Sequence, residues 1–293
     1  MTRRSLRCGL LRGLPALLTI VCGSIAPGQE ITQLFAPLAA PWLSQDDPGE
    51  SEGQEEDLET DRDSFTPSTS TVGTRRVLLE AAYSFIDHRG SADAHSLPEM
   101  VTRIGLSERT ELRLGWNYEV GGGSSVSGGQ GGGLEQSSAE EESQMLYGVK
   151  FALTEQDAWV PDSACIIQGR TPTSGPETAG DFQLGYVFGW EIFRDWKLDS
   201  SLRYLTASEE GDQFNQWAPS VVVKMPVGER WNVHGEYFGM FNDGSAESHA
   251  PQYFSPGIHY LISPDVEIGV RGGWGLNQDA ADSFVNAGFG LRF

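Results

Sequence analysis

Cysteine, basic residues and long apolar runs are all scarce in this sequence. Three cysteines occur in 293 residues, and Cys8 and Cys22 belong to the N-terminal stretch 1–28. If that stretch is removed, only Cys165 remains, which excludes an internal disulfide and leaves little for thiol or metal chemistry. Only 20 residues are basic against 41 acidic ones, and the net charge of −21 disfavours nucleic acid as a partner. Beyond the N terminus, no apolar run reaches transmembrane-helix length, so the chain is either soluble or crosses a membrane as strands.

The first residues predict export. Four arginines precede the apolar stretch 14–26, which is too short to span a bilayer, and this combination is typical of a secretory signal peptide. Cleavage is expected after Gly28, since Ala26 and Gly28 supply small residues on the two positions that signal peptidase reads. A lipoprotein signal at Cys22 is the less favoured alternative, because residues 19–21 lack the small residue normally found before a lipidated cysteine. We therefore assign residues 1–28 to a signal peptide.

Residues 29–73 form an acidic segment rich in proline, serine and threonine. Arg62 is the only basic residue between positions 30 and 72. Such a composition does not bury enough apolar surface to fold, so we predict a disordered segment. It is either a periplasmic tether or partner-binding arm, or a solvated leader without a role of its own, and composition favours the leader.

From residue 74 to the C terminus, apolar residues recur at every second position. In residues 111–120, for example, Leu112, Leu114 and Trp116 alternate with polar residues or glycine, as in a strand with two different faces. Twelve such segments can be identified, and an even number is what single-chain bacterial barrels require. The predicted strands are 77–85, 97–106, 111–120, 145–153, 162–171, 182–192, 198–204, 217–225, 231–237, 254–260, 266–276 and 283–293.

Connection lengths and aromatic residues favour a membrane barrel over a soluble sandwich. Short connections at 107–109, 194–195, 226–229 and 263–265 follow even-numbered strands, with 154–161 as an exception, and longer connections follow odd ones. Outer-membrane barrels have short periplasmic turns and longer external loops. Tyrosine and tryptophan also cluster towards the strand ends, where interfacial girdles lie. The sequence thus predicts an all-β, transmembrane antiparallel up-and-down β-barrel at residues 74–293, in the outer membrane of a Gram-negative-type bacterium, with lipid as its surroundings.

The polar face of these strands predicts a lumen of mixed charge. Two interpretations stay open: a polar path that orients a solute, or internal salt bridges that plug and brace a narrow barrel. Glycines on the strands would relieve crowding in such an interior. The expected lumen residues are Glu80, Arg103, Glu111, Arg113, Lys150, Arg170, Glu191, Asp199, Arg203, Glu236, Glu267 and Arg271.

Candidates for catalysis or cofactor binding are weak. The five histidines show no pattern of nucleophile and base, and the best pair, His249 with Asp243, shares one loop. The glycine-rich run 121–133 lacks the Lys-Ser/Thr of a phosphate-binding loop, so it reads as an external loop. We expect no enzyme activity, no cofactor and no metal.

Several short motifs carry a resemblance to a known family. Residues 103–113, RIGLSERTELR, resemble the R-x-G-L-T-x-x-x-E-L hairpin of the transporter-like outer-membrane barrels named for the MetA pathway of phenol degradation. Further similar stretches are GVKF at 148–151, PTSG at 172–175, PGIHYLISPD at 256–265 and GFGLRF at 288–293. Ser174 interrupts the family's Pro-Thr-Gly turn. The resemblance implies a channel-like barrel for small, hydrophobic or aromatic solutes.

The last strand ends in an aromatic residue. Phe289, Leu291 and Phe293 alternate in register, as in the signal that the barrel-assembly machinery reads. We therefore expect that machinery as a partner. The leading functional hypothesis is passive passage of a small-molecule solute across the outer membrane. The alternative is a closed structural or partner-binding barrel without transport activity.

Overall fold

A computed structural model describes residues 58–88, 92–121, 141–175, 180–209, 212–244 and 250–293. Several predictions fall outside these residues: the signal peptide 1–28 with its cleavage site and Cys22, the acidic stretch 29–57, most of the glycine-rich run, and His249. The described residues include no helix that is both long and apolar enough to cross a membrane.

The described chain after residue 76 is built from antiparallel strands. Alternation of apolar and polar residues positions each of them, since a strand sends successive side chains to opposite faces. The strands are β1 Val77–Asp87, β2 Ala94–Ser107, β3 Thr110–Val120, β4 Glu141–Thr154, β5 Asp162–Ser174, β6 Asp181–Phe193, β7 Trp196–Glu209, β8 Asp212–Val227, β9 Trp231–Gly239, β10 Phe241–Asp243, β11 Gln252–Ser263, β12 Val266–Gly275 and β13 Ser283–Arg292.

Twelve of these strands close into an up-and-down barrel, which confirms the predicted fold class. These twelve strands pair in sequence order, with β9 next to β11, and β1 pairs with β13 to close the ring. The ring is sealed at the chain end, where the backbones of Val77 and Phe293 exchange hydrogen bonds of 2.8 and 3.1 Å. The short β10 follows β9 after Met240 and pairs with β8. A closed ring leaves no unpaired sheet edge in the hydrocarbon region.

Several strands run further than the apolar pattern indicates. β8 begins at Asp212 rather than at residue 217, and β7 continues to Glu209, so the predicted loop 208–212 is mostly strand. β10 likewise lies in a stretch predicted as a loop. Polar residues such as Asn215 and Gln216 continue the pairing. Above the bilayer the outward face no longer needs apolar residues, as the half-buried Asn215 shows, so apolar alternation ends before the hydrogen bonding does.

The two faces of the barrel differ as a membrane protein requires. Outward residues such as Leu114, Leu202 and Val285 are 43–47 % exposed, whereas inward charged residues such as Arg103 and Glu236 are buried. In the bilayer those outward apolar side chains contact lipid. The hydrophobic face therefore looks away from the lumen, which is opposite to a soluble sandwich.

Residues 58–73 lie inside this barrel, whereas the sequence predicted a disordered segment from 29 to 73. Phe65, Asp61 and Thr66 have no solvent exposure, although the stretch has no regular secondary structure. A segment of this composition cannot form a core of its own. The charged lumen, however, supplies partners for its acidic and hydroxyl side chains. We call residues 58–73 the luminal segment.

Candidate functional site in the barrel lumen

The luminal segment enters and leaves at the same end of the barrel. Glu59 lies beside Lys197 and Lys224, close to the short β6–β7 and β8–β9 turns, and Thr71 donates a hydrogen bond to the carbonyl of Glu108 in the β2–β3 turn. Phe65, midway along the segment, reaches residues near the opposite ends of the strands, such as Phe238. Short turns mark the periplasmic side, so the segment is a loop inserted from the periplasm.

Glycine makes room for this insertion. A side chain at Gly105 of β2 would clash with the carbonyl of Gly73, and one at Gly290 of β13 would clash with Thr60. Both glycines belong to the wall that the luminal segment passes. The predicted relief of crowding in the lumen is therefore needed for a second piece of chain.

Asp61 is the centre of the first contact group. Its carboxylate lies 3.2 Å from Lys150 Nζ and 3.4 Å from Arg103 Nη1, and it also pairs with Arg113. Ser68 donates two further hydrogen bonds to the same carboxylate, of 2.8 and 2.9 Å. Burial alone would raise the pKa of Asp61, but the charges of Arg103, Lys150 and Arg113 lower this pKa well below its usual range. The carboxylate therefore stays ionised inside the barrel.

Two wall carboxylates hold the backbone of the segment. Glu80 accepts hydrogen bonds of 3.0 Å from the backbone N–H groups of Asp61 and Arg62, and Glu111 accepts one of 3.0 Å from Val72. Backbone groups outside a helix or sheet need such partners when they are buried. The wall thus replaces the secondary structure that the segment lacks.

A third wall carboxylate fixes the tip. Glu236 accepts hydrogen bonds of 2.8 and 2.7 Å from the backbone N–H groups of Phe65 and Thr66. The Phe65 ring stacks on Phe238, with centroids 4.2 Å apart, and the guanidinium of Arg203 lies 3.7 Å from the Phe65 centroid. Arg203 also donates a 2.7 Å bond to the Phe65 carbonyl. The tip therefore occupies an aromatic and cationic niche.

The two ends of the lumen are different. Towards the external side, buried apolar residues that include Phe238, Met240, Tyr253 and Phe284 pack around Phe65. At the periplasmic end, a cavity of about 610 Å³ remains between the luminal segment and the wall. This cavity is lined by charged residues of both signs, among them Glu59, Lys197 and Arg76, and forms a polar vestibule.

Eleven of the twelve residues predicted to line the lumen are buried in the interior. Arg170 pairs with Asp181 at 3.4 Å, and Asp199 pairs with Lys224 at 3.1 Å. Glu191 is different, because its side chain is exposed at the periplasmic rim. The pairing of β6 with β7 is irregular between Glu191 and Phe193, so strict alternation ends there.

The predicted assembly residues occupy the closing strand. Phe289 faces outward and is 41 % exposed, Leu291 is buried between its partners Leu79 and Val266, and Phe293 is half-buried at the β1 seam. Their recognition by the assembly machinery stays a prediction. Asp243 lies at the end of β10, while His249 lies outside the described residues.

Sequence reasoning missed two groups of functional residues. Lys224, His234 and His259 are buried in the lumen. Lys224 and His259 each lie between two apolar residues that were predicted to face outward, so the alternation could have identified both as inward-facing. Asp61, Phe65 and Ser68 carried no such signal, because they lie outside any periodic segment. Their role depends on distant partners: Asp61 and Ser68, for example, both contact Lys150, which lies more than 80 residues away along the chain.

Comparison with known proteins agrees with this architecture. A family model described as "MetA-pathway of phenol degradation" matches residues 60–293. The chain belongs to this family. The match to the MetA-pathway family begins at Thr60, so it includes the luminal segment together with the barrel. No curated protein matches the sequence.

Solved structures similar to this MetA-pathway barrel are outer-membrane proteins. The NanC porin is 9 % identical, with a TM-score of 0.50 over 73 % of this chain and 98 % of that one. The KdgM porin is 9 % identical, with a TM-score of 0.45 over 74 % and 99 %. The translocator domain of autotransporter NalP from Neisseria meningitidis is 12 % identical, with a TM-score of 0.46 over 74 % and 88 %. The likeness to the NanC porin supports the fold alone, and the protein is a β-barrel of the outer membrane.

Proposed function

We propose that the protein conducts small solutes passively across the outer membrane, and that the luminal segment is a displaceable plug. The observation that carries this proposal is the way the lumen is filled. The inserted chain is held by ion pairs, hydrogen bonds and apolar packing of Phe65, Leu58 and Val72, without any strand that joins the sheet. Water can replace polar contacts of this kind when the segment withdraws.

The wall supports withdrawal because many of its charges are already paired with each other. Arg103 pairs with Glu111 at 2.8 Å, and Arg271 pairs with Glu236 at 3.5 Å. Lys224 likewise remains paired with Asp199 of the wall when the luminal segment withdraws and removes Glu59. A wall with its own counter-charges does not depend on the plug for neutrality, so the segment can leave at a moderate electrostatic cost.

The tip niche indicates the class of solute. With Phe65 withdrawn, Phe238, Tyr253 and Phe284 would present aromatic faces next to Arg203 and Arg271. Aromatic rings favour this setting through stacking and cation–π attraction. A charged lumen at the same time disfavours a purely apolar solute. We therefore propose small aromatic solutes with a polar group, in line with the family's link to phenol degradation. This role is a channel role rather than a catalytic one.

A reversible lock tests the plug. The hydroxyls of Thr66 and Ser220 lie 2.8 Å apart, so Thr66→Cys with Ser220→Cys in a Cys165→Ser background should form a disulfide across the lumen. We expect single-channel currents in planar bilayers to disappear on oxidation and to return on reduction. The Thr66→Cys single variant is the matched control and should conduct in both states.

A matched pair of solutes tests the aromatic niche. Phenol and cyclohexanol have similar size and one hydroxyl each, but only phenol has an aromatic face. Phenol should block the ionic current at lower concentration than cyclohexanol, and Phe238→Leu should remove the difference.

The competing function is a closed structural or partner-binding barrel. It predicts that the folded parent protein gives neither ionic current nor liposome swelling. The double-cysteine variant should then give neither one even after its disulfide is reduced. That result would overturn the channel proposal. Equal block by phenol and cyclohexanol would overturn only the assignment of the solute class.

A further inference from the structure

The luminal segment brings Asp63 against two wall residues on neighbouring strands, His259 of β11 and Glu267 of β12. Nδ1 of His259 lies 3.2 Å from Oδ1 of Asp63 and 4.0 Å from Oε1 of Glu267. One donor atom from each side chain lies within 4.8 Å of the others. Ligands at about 2.1 Å from a tetrahedral metal ion are separated by roughly 3.4 Å, so these spacings suit one shared ion.

The second observation is that two of the atoms that would bind the ion make no well-aligned hydrogen bond. His259 is only 4 % exposed, yet its Nδ1 makes no well-aligned hydrogen bond, and neither does Oδ1 of Asp63, although the two atoms lie 3.2 Å apart. The nearby Arg62 lies 3.6 Å from Asp63 and 3.8 Å from Glu267, which is too far for a hydrogen bond, and its own Nη2 is also unbonded. Buried polar atoms without partners are rare and call for an explanation such as a bound ion.

The surroundings of His259 match those of a metal-binding histidine. Its Nε2 lies 2.9 Å from Nδ1 of His234, and the two rings stack with centroids 5.0 Å apart. If Nε2–H donates to His234, the lone pair of Nδ1 faces the two carboxylates. Metal-binding histidines usually donate their second N–H in this way, and Thr60 similarly donates a 3.1 Å bond to Glu267.

We propose that Asp63, His259 and Glu267 bind a divalent transition-metal ion of the Zn²⁺ or Mn²⁺ type. One imidazole and two carboxylates suit such borderline ions, whereas Mg²⁺ and Ca²⁺ prefer oxygen ligands alone and Cu⁺ prefers sulfur. The sequence predicted no metal, because Asp63 is far from the other two ligands along the chain. A bound ion would cross-link the luminal segment to β11 and β12, whether or not the barrel conducts.

Calorimetry with Zn²⁺ on the full-length protein, folded in detergent and stripped with EDTA, tests this site. We expect one saturable Zn²⁺ site that Mg²⁺ does not occupy. Asp63→Asn, His259→Gln and Glu267→Gln should each remove that component of the titration. His234→Leu should weaken it by about 10–100-fold, as the loss of an outer partner does. His95→Gln is the matched control, since His95 contacts Tyr83 on the outside of the barrel, and its titration should equal that of the parent.

Arg62→Gln separates a metal site from an ion pair. If a metal binds, removal of this neighbouring positive charge should leave or tighten Zn²⁺ affinity, and Co²⁺ should give visible absorption bands that His259→Gln abolishes. If the group is only an ion-pair cluster around Arg62, Arg62→Gln creates no Zn²⁺ site. Absence of a saturable site in both the parent and Arg62→Gln would overturn the proposal, as would unchanged binding in His259→Gln. Gel migration before and after heating shows whether each variant is folded.

Discussion

The contact between Asp61 and three wall cations shows how individual residues hold the lumen closed. One carboxylate on the inserted chain pairs with Arg103, Arg113 and Lys150, and Ser68 fills its remaining hydrogen-bonding capacity. A buried ion pair adds little net stability compared with apolar packing, but it is costly to break from one side. The main effect of Asp61 is therefore to fix the position of the luminal segment, and its contribution to the stability of the barrel is small.

Asp61→Asn should release the luminal segment. Ser64 is 1 % exposed, so a cysteine from Ser64→Cys in a Cys165→Ser background reports opening through its rate of maleimide labelling. We expect Asp61→Asn to raise that rate at least about tenfold, because loss of one partner of a buried pair costs about 3 kcal/mol, of which hydration recovers part.

Asp265→Asn is the control for this change. Asp265 pairs with Arg292 at 2.8 Å in the β11–β12 turn and is 41 % exposed at its side chain, so its loss should leave labelling unchanged. Equal labelling in Asp61→Asn and the parent would contradict a holding role for Asp61.

At the scale of strands, alternation assigned the two faces well. The hydrophobic set of each strand points to lipid and the charged set to the lumen, since a shift by one residue would exchange them. Strand bounds were less predictable, as β7 and β8 show, because hydrogen bonding continues where apolar residues end. The inserted segment had no periodic pattern, so it could not be placed from the sequence.

A charge on the lipid face should destabilise the barrel according to its depth. Leu202 lies midway along β7 and is 44 % exposed on the outside. Leu202→Lys should lower the free energy of unfolding by about 2–4 kcal/mol, and Ile192→Lys, near the β6–β7 turn, by no more than about 1 kcal/mol. Urea titrations in lipid vesicles measure both, and equal costs would show that Leu202 does not face the bilayer centre.

The closing strand should determine assembly. Replacing Phe293 by serine should reduce the amount of folded barrel in the outer membrane, because it removes the aromatic side chain of the predicted terminal signal while keeping the backbone hydrogen bonds with Val77. Leu276→Ser, in the β12–β13 connection, alters an exposed apolar residue outside the strands and should not reduce it. Membrane yield on immunoblots compares the two, and a normal yield of Phe293→Ser would refute the assembly role.

At the scale of the whole molecule, closure of the ring makes the barrel a single cooperative unit. Each of the twelve barrel strands pairs on both sides, so none of them can separate without breaking two ladders. The protein should therefore migrate differently on gels before and after heating, and it should fractionate with outer membranes. Identical migration in both conditions, or recovery in the soluble periplasm, would contradict a closed membrane barrel.

The local pattern specifies the barrel, because a two-residue period with apolar residues on one face describes each strand. The same pattern specifies which charges the lumen contains. What those charges contact depends on the fold as a whole. Partners such as Asp61 with Lys150, or Asp63 with His259, are brought together by ring closure and by the insertion of a non-periodic segment. Such contacts depend on the enclosed space of the lumen, which no local pattern encodes.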